Sequence, residues 1–175
     1  MNISEMTERR EEDPALIADV EHCPYYFAYG MNTNTDSMDT RTGDHIMIDT
    51  GVLRGYELQF KVHCDVVKNP NSVVGGVLWE ITPRGLAKLD AREGYPHYYD
   101  RDVMWIQAKD GQTLKAWVYY MNSINEDGNG DRLKSPNKRY WDHVCEGYRQ
   151  HGLSTQQLEA ARTRALEQEK SGGYR

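Results

Sequence analysis

The chain has 175 residues and a formal net charge of −6, and this length suits one domain with enough material to bury a substantial core. Its acidic balance and the absence of any run of five basic residues argue against a broad surface for nucleic acid or an anionic membrane. No apolar stretch approaches the ~18 residues that cross a membrane, and the N-terminal segment lacks the apolar core of a signal peptide. We therefore expect a soluble, cytoplasmic protein.

The three cysteines, Cys23, Cys64 and Cys145, are widely spaced and odd in number. This usage is typical of a reducing compartment with ordinary buried thiols. The sequence contains no CxxC or HExxH spacing, and the nearest approximations to a ligand pair are His63 next to Cys64 and His143 near Cys145. Neighbouring residues on a strand point to opposite faces, so we expect no metal site, and we expect no cofactor.

Composition divides the chain into three parts. Residues 1–13 are polar and mostly charged, which predicts a flexible N-terminal segment. Residues 14–166 form the expected single domain, which begins with a short helix from Pro14 to Val20 capped by Asp13. Residues 167–175 are expected to be a flexible tail.

Alternating apolar residues and turn signals predict a chain rich in short strands. A polar segment at 33–48 is expected to be a long loop with at most a helical turn near Ser37, and loops of this length in compact domains are often functional. Residues 68–72 are expected to form a turn, and Lys109-Asp-Gly111 a hairpin loop. The predicted strands are 25–29, 50–54, 57–62, 75–81, 98–107 and 113–121.

Capping residues predict three helices after the first strands. The first begins at Thr82-Pro83 and ends near Gly94. The second begins at Ser135-Pro136 and ends at about His151, after a polar loop at 125–130, and the third follows a capping box at 154–157. Strands and helices do not alternate regularly, and this order argues against a doubly wound parallel sheet. The predicted fold class is α+β, a small mixed β-barrel or strongly bent sheet with flanking helices.

The segment Tyr25–Asn32 joins an aromatic strand to a polar loop through Gly30. Glycine lets a ligand approach the main chain closely, and successive loop N–H groups can hold an anion or a polarised carbonyl. An ordinary strand followed by an ordinary turn is the alternative for this stretch.

The segment Leu86–Tyr95 carries a second candidate group. Glu93 falls at the expected end of the short helix, where the helix dipole is already negative, so a carboxyl group held there against the core should have a raised pKa. That property suits acid/base chemistry near neutral pH. The alternative is a solvated surface acid paired with Arg92 or Lys88.

These motifs in this order resemble the γ-glutamylcyclotransferase-like family, which includes γ-glutamylamine cyclotransferases and AIG2-like proteins. The family's Tyr-Phe-x-Tyr-Gly-Ser-Asn signature corresponds to residues 26–32, with Met31 in place of the serine. Its Leu-Asp-x-x-Glu-Gly segment corresponds to residues 89–94. Further correspondences cover the Gly-Val-x-Trp strand at 76–79, the Tyr-rich strand at 98–101, the strand at 118–121 and the Ser-Pro-x-x-x-Tyr helix start at 135–140.

The resemblance implies a small β-barrel with flanking helices and a reaction that cyclises a γ-glutamyl amine or amide to 5-oxoproline. It implies that Glu93 is the catalytic acid/base. It also implies a small-molecule γ-glutamyl substrate, no nucleic-acid or membrane partner, and a monomer or homodimer. Residues expected to line the substrate pocket are Tyr29, Gly30, Met31, Asn32, Tyr99 and Tyr119, with Tyr95 and Tyr98 as further candidate walls.

The replacement of the family serine by Met31 leaves a second interpretation open. If the serine hydroxyl contacts substrate in the family, this chain could keep the pocket and only bind a small metabolite, sequestering or sensing it. A third interpretation is a related acyl transfer or removal on a γ-glutamyl-tagged product.

Overall fold

The computed structural model describes residues 23–122 and 132–172. The predicted helix at 14–20, the flexible segment at 1–13 and the loop at 125–130 lie outside these residues. Across the described ranges, no helix combines the length and the apolar character needed to span a membrane.

Five strands form a closed barrel within the described residues, which confirms the predicted α+β class. The order around the barrel is β1-β3-β2-β4-β5. Strand β1 closes the barrel through a parallel pairing with β5, whereas the other neighbours pair antiparallel. The strands are β1 (Tyr25–Ala28), β2 (His45–Lys61), β3 (His63–Ile81), β4 (Tyr99–Ala108) and β5 (Thr113–Met121).

Two strands are longer than the sequence predicts, so the expected count of six was wrong. Strand β2 joins both strands predicted on either side of Gly55, and β3 includes the expected turn at 68–72. The ladder pairs Arg54 with Val73 and Tyr56 with Lys68, so Gly55 alone stands opposite residues 69–72. The turn-forming residues therefore produce an irregularity within one hairpin, because the strand on each side of them pairs with the same partner.

Four helices and a 3₁₀ turn accompany the barrel in the described residues. The 3₁₀ turn is Met31–Thr33, and it leads directly into α1. The helices are α1 (Thr35–Arg41), α2 (Pro83–Glu93), α3 (Lys138–Gln150) and α4 (Gln156–Gly172).

Helix α1 corrects the expectation of a long loop at 33–48. The side chain of Asn34 caps the helix by accepting a hydrogen bond from Asp36 N, and Met38 is completely buried. The sequence did not predict this helix because threonine, aspartate and serine form helices weakly. A cap and one buried apolar side chain stabilise it instead, and strand β2 follows at His45.

Helix α2 has the predicted ends. Thr82 Oγ1 accepts a hydrogen bond from Gly85 N at 3.0 Å, and Pro83 occupies the first turn. Gly94 ends the helix with φ 64° and ψ 33°, a left-handed conformation that costs glycine little. Glu93 is consequently the last residue of the helix.

The last two helices differ from prediction at their ends. Helix α3 is capped by Asn137, whose side chain accepts from Tyr140 N at 2.9 Å, and not by Ser135. Ser135 N instead donates to Glu169 at 2.9 Å. This contact lies beyond residue 166, and α4 continues to Gly172 where a flexible tail was expected.

The expected capping box at the start of α4 is also replaced. Ser154 Oγ accepts from Gln156 N at 3.3 Å, but the Gln157 side chain reaches away from the helix start to Gly75 on β3. Gln157 Oε1 accepts from Gly75 N and its Nε2 donates to Gly75 O, both at 2.8 Å. This pair of bonds fixes α4 to the barrel.

The core consists of two clusters that meet at β1. Phe27 and Tyr29 belong to a cluster that includes α3 and α4 side chains such as Tyr148. Tyr26 and Ala28 belong to a cluster with α1 and α2 side chains. Because successive strand residues face opposite sides, the four residues of β1 and Tyr29 connect both halves of the molecule, and the loop after β1 emerges between them.

Candidate functional site

A cavity of about 230 Å³ lies beside the loop that follows β1. This is below the range of about 300–1,000 Å³ that accommodates drug-sized ligands, so it suits a small metabolite. All seven residues predicted for the site line it: Tyr29, Gly30, Met31, Asn32, Glu93, Tyr99 and Tyr119. Their roles in binding or catalysis stay predictions.

The Glu93 carboxylate is the acidic group of the cavity. Its Oε1 accepts from Asn32 Nδ2 at 3.2 Å and lies 3.5 Å from Arg41 Nη1. The side chain is 16% exposed. Burial raises the pKa of Glu93, while the Arg41 charge and the Asn32 hydrogen bond oppose that rise in part.

The alternative of a solvated acid paired with neighbouring bases does not describe Glu93. Lys88 Nζ donates to Thr42 O at 2.8 Å, on the α1 side of the helix. Arg92 lines the cavity, but the residue that pairs with Glu93 is Arg41.

Gly30 permits the close packing that shapes the loop. A Cβ atom at this position would lie 2.9 Å from Cys64 Cβ on β3, closer than carbon atoms pack without strain. After Gly30, the N–H groups of Thr33 and Asn34 donate within the loop. Across residues 23–122 and 132–172, the N–H groups of Met31 and Asn32 donate to no protein acceptor.

Three of the tyrosines that line the cavity, those predicted for the pocket, donate hydrogen bonds from their hydroxyl groups to the protein. Tyr29 donates to Tyr119 O at 2.6 Å, Tyr99 to Cys64 O at 2.7 Å, and Tyr119 to Asp90 Oδ1 at 2.7 Å. Burial raises the pKa of all three phenols, so they are neutral walls near neutral pH.

The two further tyrosines predicted to line the pocket, Tyr95 and Tyr98, differ in position. Tyr98 lines the cavity, as expected. Tyr95 does not belong to the lining, because its ring packs against the Arg101 guanidinium with 4.6 Å between Cζ and the ring centroid. The cis peptide bond between Tyr95 and Pro96 lies in the same turn.

Six residues that line the cavity were not predicted for the site: Tyr26, Arg41, His63, Cys64, Arg92 and Tyr140. Arg41 matters most among them, because it forms an ion pair with Glu93. It occupies the end of α1, and its guanidinium donates to Asn32 Oδ1 at 2.9 Å and to Met31 Sδ at 2.8 Å. One signal was available, because Arg41 is the only lysine or arginine between residues 23 and 53. A lone cationic residue in a polar segment next to a candidate anion-binding loop is itself a candidate site residue.

An ion pair behind the cavity fixes the last turn of α2. Arg101 Nε lies 2.7 Å and its Nη2 3.2 Å from the two oxygens of Asp90. The guanidinium is also stacked on Trp117, with 4.1 Å from Cζ to the ring centroid. Since Tyr119 also donates to Asp90, three hydrogen bonds from two side chains hold this carboxylate one helical turn before Glu93.

The cysteine and histidine positions considered for a metal do not assemble into a site. Burial raises the pKa of Cys64 to about 12, so it is a thiol. In the ranges that the structure describes, no three histidine, cysteine, aspartate or glutamate side chains are grouped to hold a metal ion.

Comparison with solved structures identifies the fold. A structure titled gamma-glutamyl cyclotransferase is similar with a TM-score of 0.68 and 21% identity, covering 78% of this chain and 85% of that chain. YkqA from Bacillus subtilis is similar with a TM-score of 0.67 and 21% identity, covering 86% of this chain and 57% of that chain. Identities at this level support the shared barrel fold.

Curated relatives match shorter segments. A Drosophila melanogaster protein whose name marks it as a candidate gamma-glutamylcyclotransferase is 34% identical over 51 residues, 29% of this chain and 32% of the relative. A Methanocaldococcus jannaschii protein named in the same way is 34% identical over 56 residues, 31% of this chain and 47% of the relative. The matched segments thus span from a third to about half of these relatives.

A family model described as "Gamma-glutamyl cyclotransferase, AIG2-like" matches residues 26–143. That segment begins at the aromatic strand, contains the loop, Arg41 and Glu93, and ends within α3. It therefore includes every described residue that lines the cavity. The chain belongs to the AIG2-like gamma-glutamyl cyclotransferase family.

Proposed function

We propose that this protein cyclises a γ-glutamyl amine or amide to 5-oxoproline and releases the free amine, with Glu93 as general acid and base. The observation that carries the proposal is the partly buried Glu93 carboxylate, which contacts Asn32 of the loop after β1 and lines a cavity of metabolite size. Family membership supports the reaction class.

The reaction needs no nucleophile from the protein. The substrate's α-amine attacks its own γ-carbonyl carbon, a C–N bond forms, and the bond to the departing amine breaks. Intramolecular attack in a well-oriented pose reaches effective molarities of about 10⁵–10⁸ M. The protein's task is to hold the substrate in a ring-like pose, transfer protons and stabilise the oxyanion.

Glu93 transfers the protons in this proposal. It accepts one from the α-ammonium group, which makes the amine nucleophilic, and returns one to the departing amine. Its raised pKa suits both steps, and acid/base catalysis of this kind contributes about 10²–10⁴-fold. Asn32 and Arg41 orient the carboxylate through its Oε1 atom.

The N–H groups of Met31 and Asn32 are suited to the developing oxyanion. Neither donates to another acceptor in the described ranges, and the loss of one such donor generally costs about 10²–10³ in rate. The aromatic side chains of Tyr29, Tyr99 and Tyr119 limit the access of water, which favours cyclisation over hydrolysis.

Glu93→Gln tests the proposal, because it preserves the size of the side chain and removes proton transfer. We expect release of 5-oxoproline from a panel of γ-glutamyl amines to fall by at least about 10²-fold, with the circular-dichroism spectrum unchanged. Glu80→Gln, on an exposed strand position, is the matched control. Near-normal turnover by the Glu93→Gln variant would exclude Glu93 as the acid/base.

Met31 favours a second candidate, a protein that binds a small γ-glutamyl metabolite without turnover. The family serine would supply a hydroxyl at this position, whereas the Met31 sulfur faces Arg41. Calorimetry with the same panel separates the two functions, since tight binding without release of 5-oxoproline supports the binding protein.

A further inference from the structure

We propose that Arg41 binds the α-carboxylate of the substrate and thereby leaves the loop N–H groups for the oxyanion. This inference rests on the proposed function, because it assigns one subsite of the same cavity. If no cation of the cavity held the carboxylate, the backbone amides after β1 would have to hold both the carboxylate and the oxyanion.

The contacts of Arg41 indicate a cation that lacks a strong partner. Its Nη2 meets the Met31 sulfur, and a thioether is a weak acceptor. Its Nη1 lies 3.5 Å from Glu93 Oε1, longer than the ~2.7–2.9 Å of a charge-assisted hydrogen bond. Among the residues that the structure describes, Asn32 Oδ1 is the one neutral oxygen at normal hydrogen-bond distance from Arg41.

The guanidinium is also largely withdrawn from water. The Arg41 side chain is 20% exposed and lines the cavity. Arginine presents a planar fork that matches a carboxylate with two parallel hydrogen bonds. A substrate carboxylate that replaces the Met31 sulfur would therefore improve the hydrogen bonding of a partly desolvated charge.

Binding at Arg41 also prepares Glu93 for its role. In the unliganded protein the Arg41 charge opposes the rise in the Glu93 pKa that burial causes. The negative charge of a carboxylate bound to Arg41 would neutralise that positive charge. Glu93 then binds a proton from the α-ammonium group more readily, so substrate binding itself strengthens the base.

Arg92 provides a matched control. It is a second arginine of the same cavity, and among the described residues it forms no ion pair. If any nearby cation sufficed, Arg41→Met and Arg92→Met would have equal effects. If Arg41 holds the carboxylate, only its replacement changes how the protein discriminates a substrate with this group from one without it.

The experiment compares a γ-glutamyl amide with the corresponding 4-aminobutyryl amide, which lacks the α-carboxylate and cyclises to 2-pyrrolidinone. We expect the wild-type ratio of kcat/KM values to fall by about 10–100-fold in Arg41→Met, as for loss of a hydrogen-bonded charge. Arg41→Lys should retain part of the ratio, because lysine keeps the charge without the fork. Arg92→Met should retain the ratio.

Calorimetry with 5-oxoproline and 2-pyrrolidinone gives a readout that needs no turnover. Arg41→Met should lose the preference for 5-oxoproline, whereas Arg92→Met should keep it. An unchanged preference in Arg41→Met, or its loss in Arg92→Met alone, overturns the assignment even if the enzyme is active. If the wild-type protein shows this preference but no turnover, the proposed function fails and the Arg41 subsite stands; if it binds neither compound and is inactive, both fail.

Discussion

Arg101→Met should destabilise the protein strongly, because it breaks the ion pair that holds the end of α2. The Arg101 and Asp90 side chains are only 15% and 21% exposed, so the remaining carboxylate would be partly buried without its cation. Removing one partner of a fully buried pair costs about 3–5 kcal/mol. Tyr119 still donates to Asp90 in this variant, so we expect the free energy of unfolding to fall by about 2–4 kcal/mol.

The assay is thermal unfolding followed by circular dichroism. In a chain of this size, 1 kcal/mol shifts Tm by about 2–4 °C, so Arg101→Met should lower Tm by about 5–15 °C. The control is Lys138→Met, which removes an ion pair with Asp142 whose side chains are 87% and 56% exposed. Exposed pairs contribute little. A Tm loss in Arg101→Met no larger than in the control would refute the reasoning.

Three further predictions concern the cavity. Burial raises the pKa of Glu93 in the folded protein, so ionisation of this group opposes folding. The free energy of unfolding of the wild type should therefore fall as the pH rises from the Glu93 pKa of the unfolded chain to that of the folded protein. Urea unfolding of Glu93→Gln should not show this fall. The acid limb of the pH profile of kcat/KM should have its midpoint above pH 4.5, the ordinary pKa of a glutamate. Arg41→Met should move this midpoint higher still, because it removes the positive charge beside Glu93. A wild-type midpoint at or below pH 4.5 contradicts the burial argument. Gly30→Ala should lower the free energy of unfolding by about 1–3 kcal/mol, because the added Cβ would lie 2.9 Å from Cys64 Cβ. Gly75→Ala is the control, since the nearest atom to a Cβ at Gly75 lies at 3.5 Å. Equal denaturation midpoints for the two variants would count against the close contact at Gly30.

Helix α1 shows where local sequence signals fail. Its residues favour a loop when judged by intrinsic propensity, yet Met38 is fully buried and Asn34 caps the helix. The cap is local, whereas the burial of Met38 comes from packing against residues distant in the chain. Arg41 was overlooked for the same reason, since its position in the cavity depends on a helix that the sequence does not favour.

The lengths of β2 and β3 illustrate a second limit. Gly55 and the turn residues at 69–72 predict breaks in the strands. The pairing of β2 with β3 is irregular at these residues, but it continues on both sides of them. Strand register depends on which faces become buried when the sheet closes, and that information is not present in either segment alone.

What the sequence determined by itself was local: the β-rich α+β class, the start and end of α2 at Thr82 and Gly94, and the position of Glu93 at the helix end. Capping residues and glycine act on the few residues beside them, so their effects can be predicted without a fold. Only the tertiary structure decided that Arg41 approaches Glu93 and that Arg101 clamps Asp90. Such contacts join residues on different helices and strands, and they arise from the way the barrel closes and its helices pack against it.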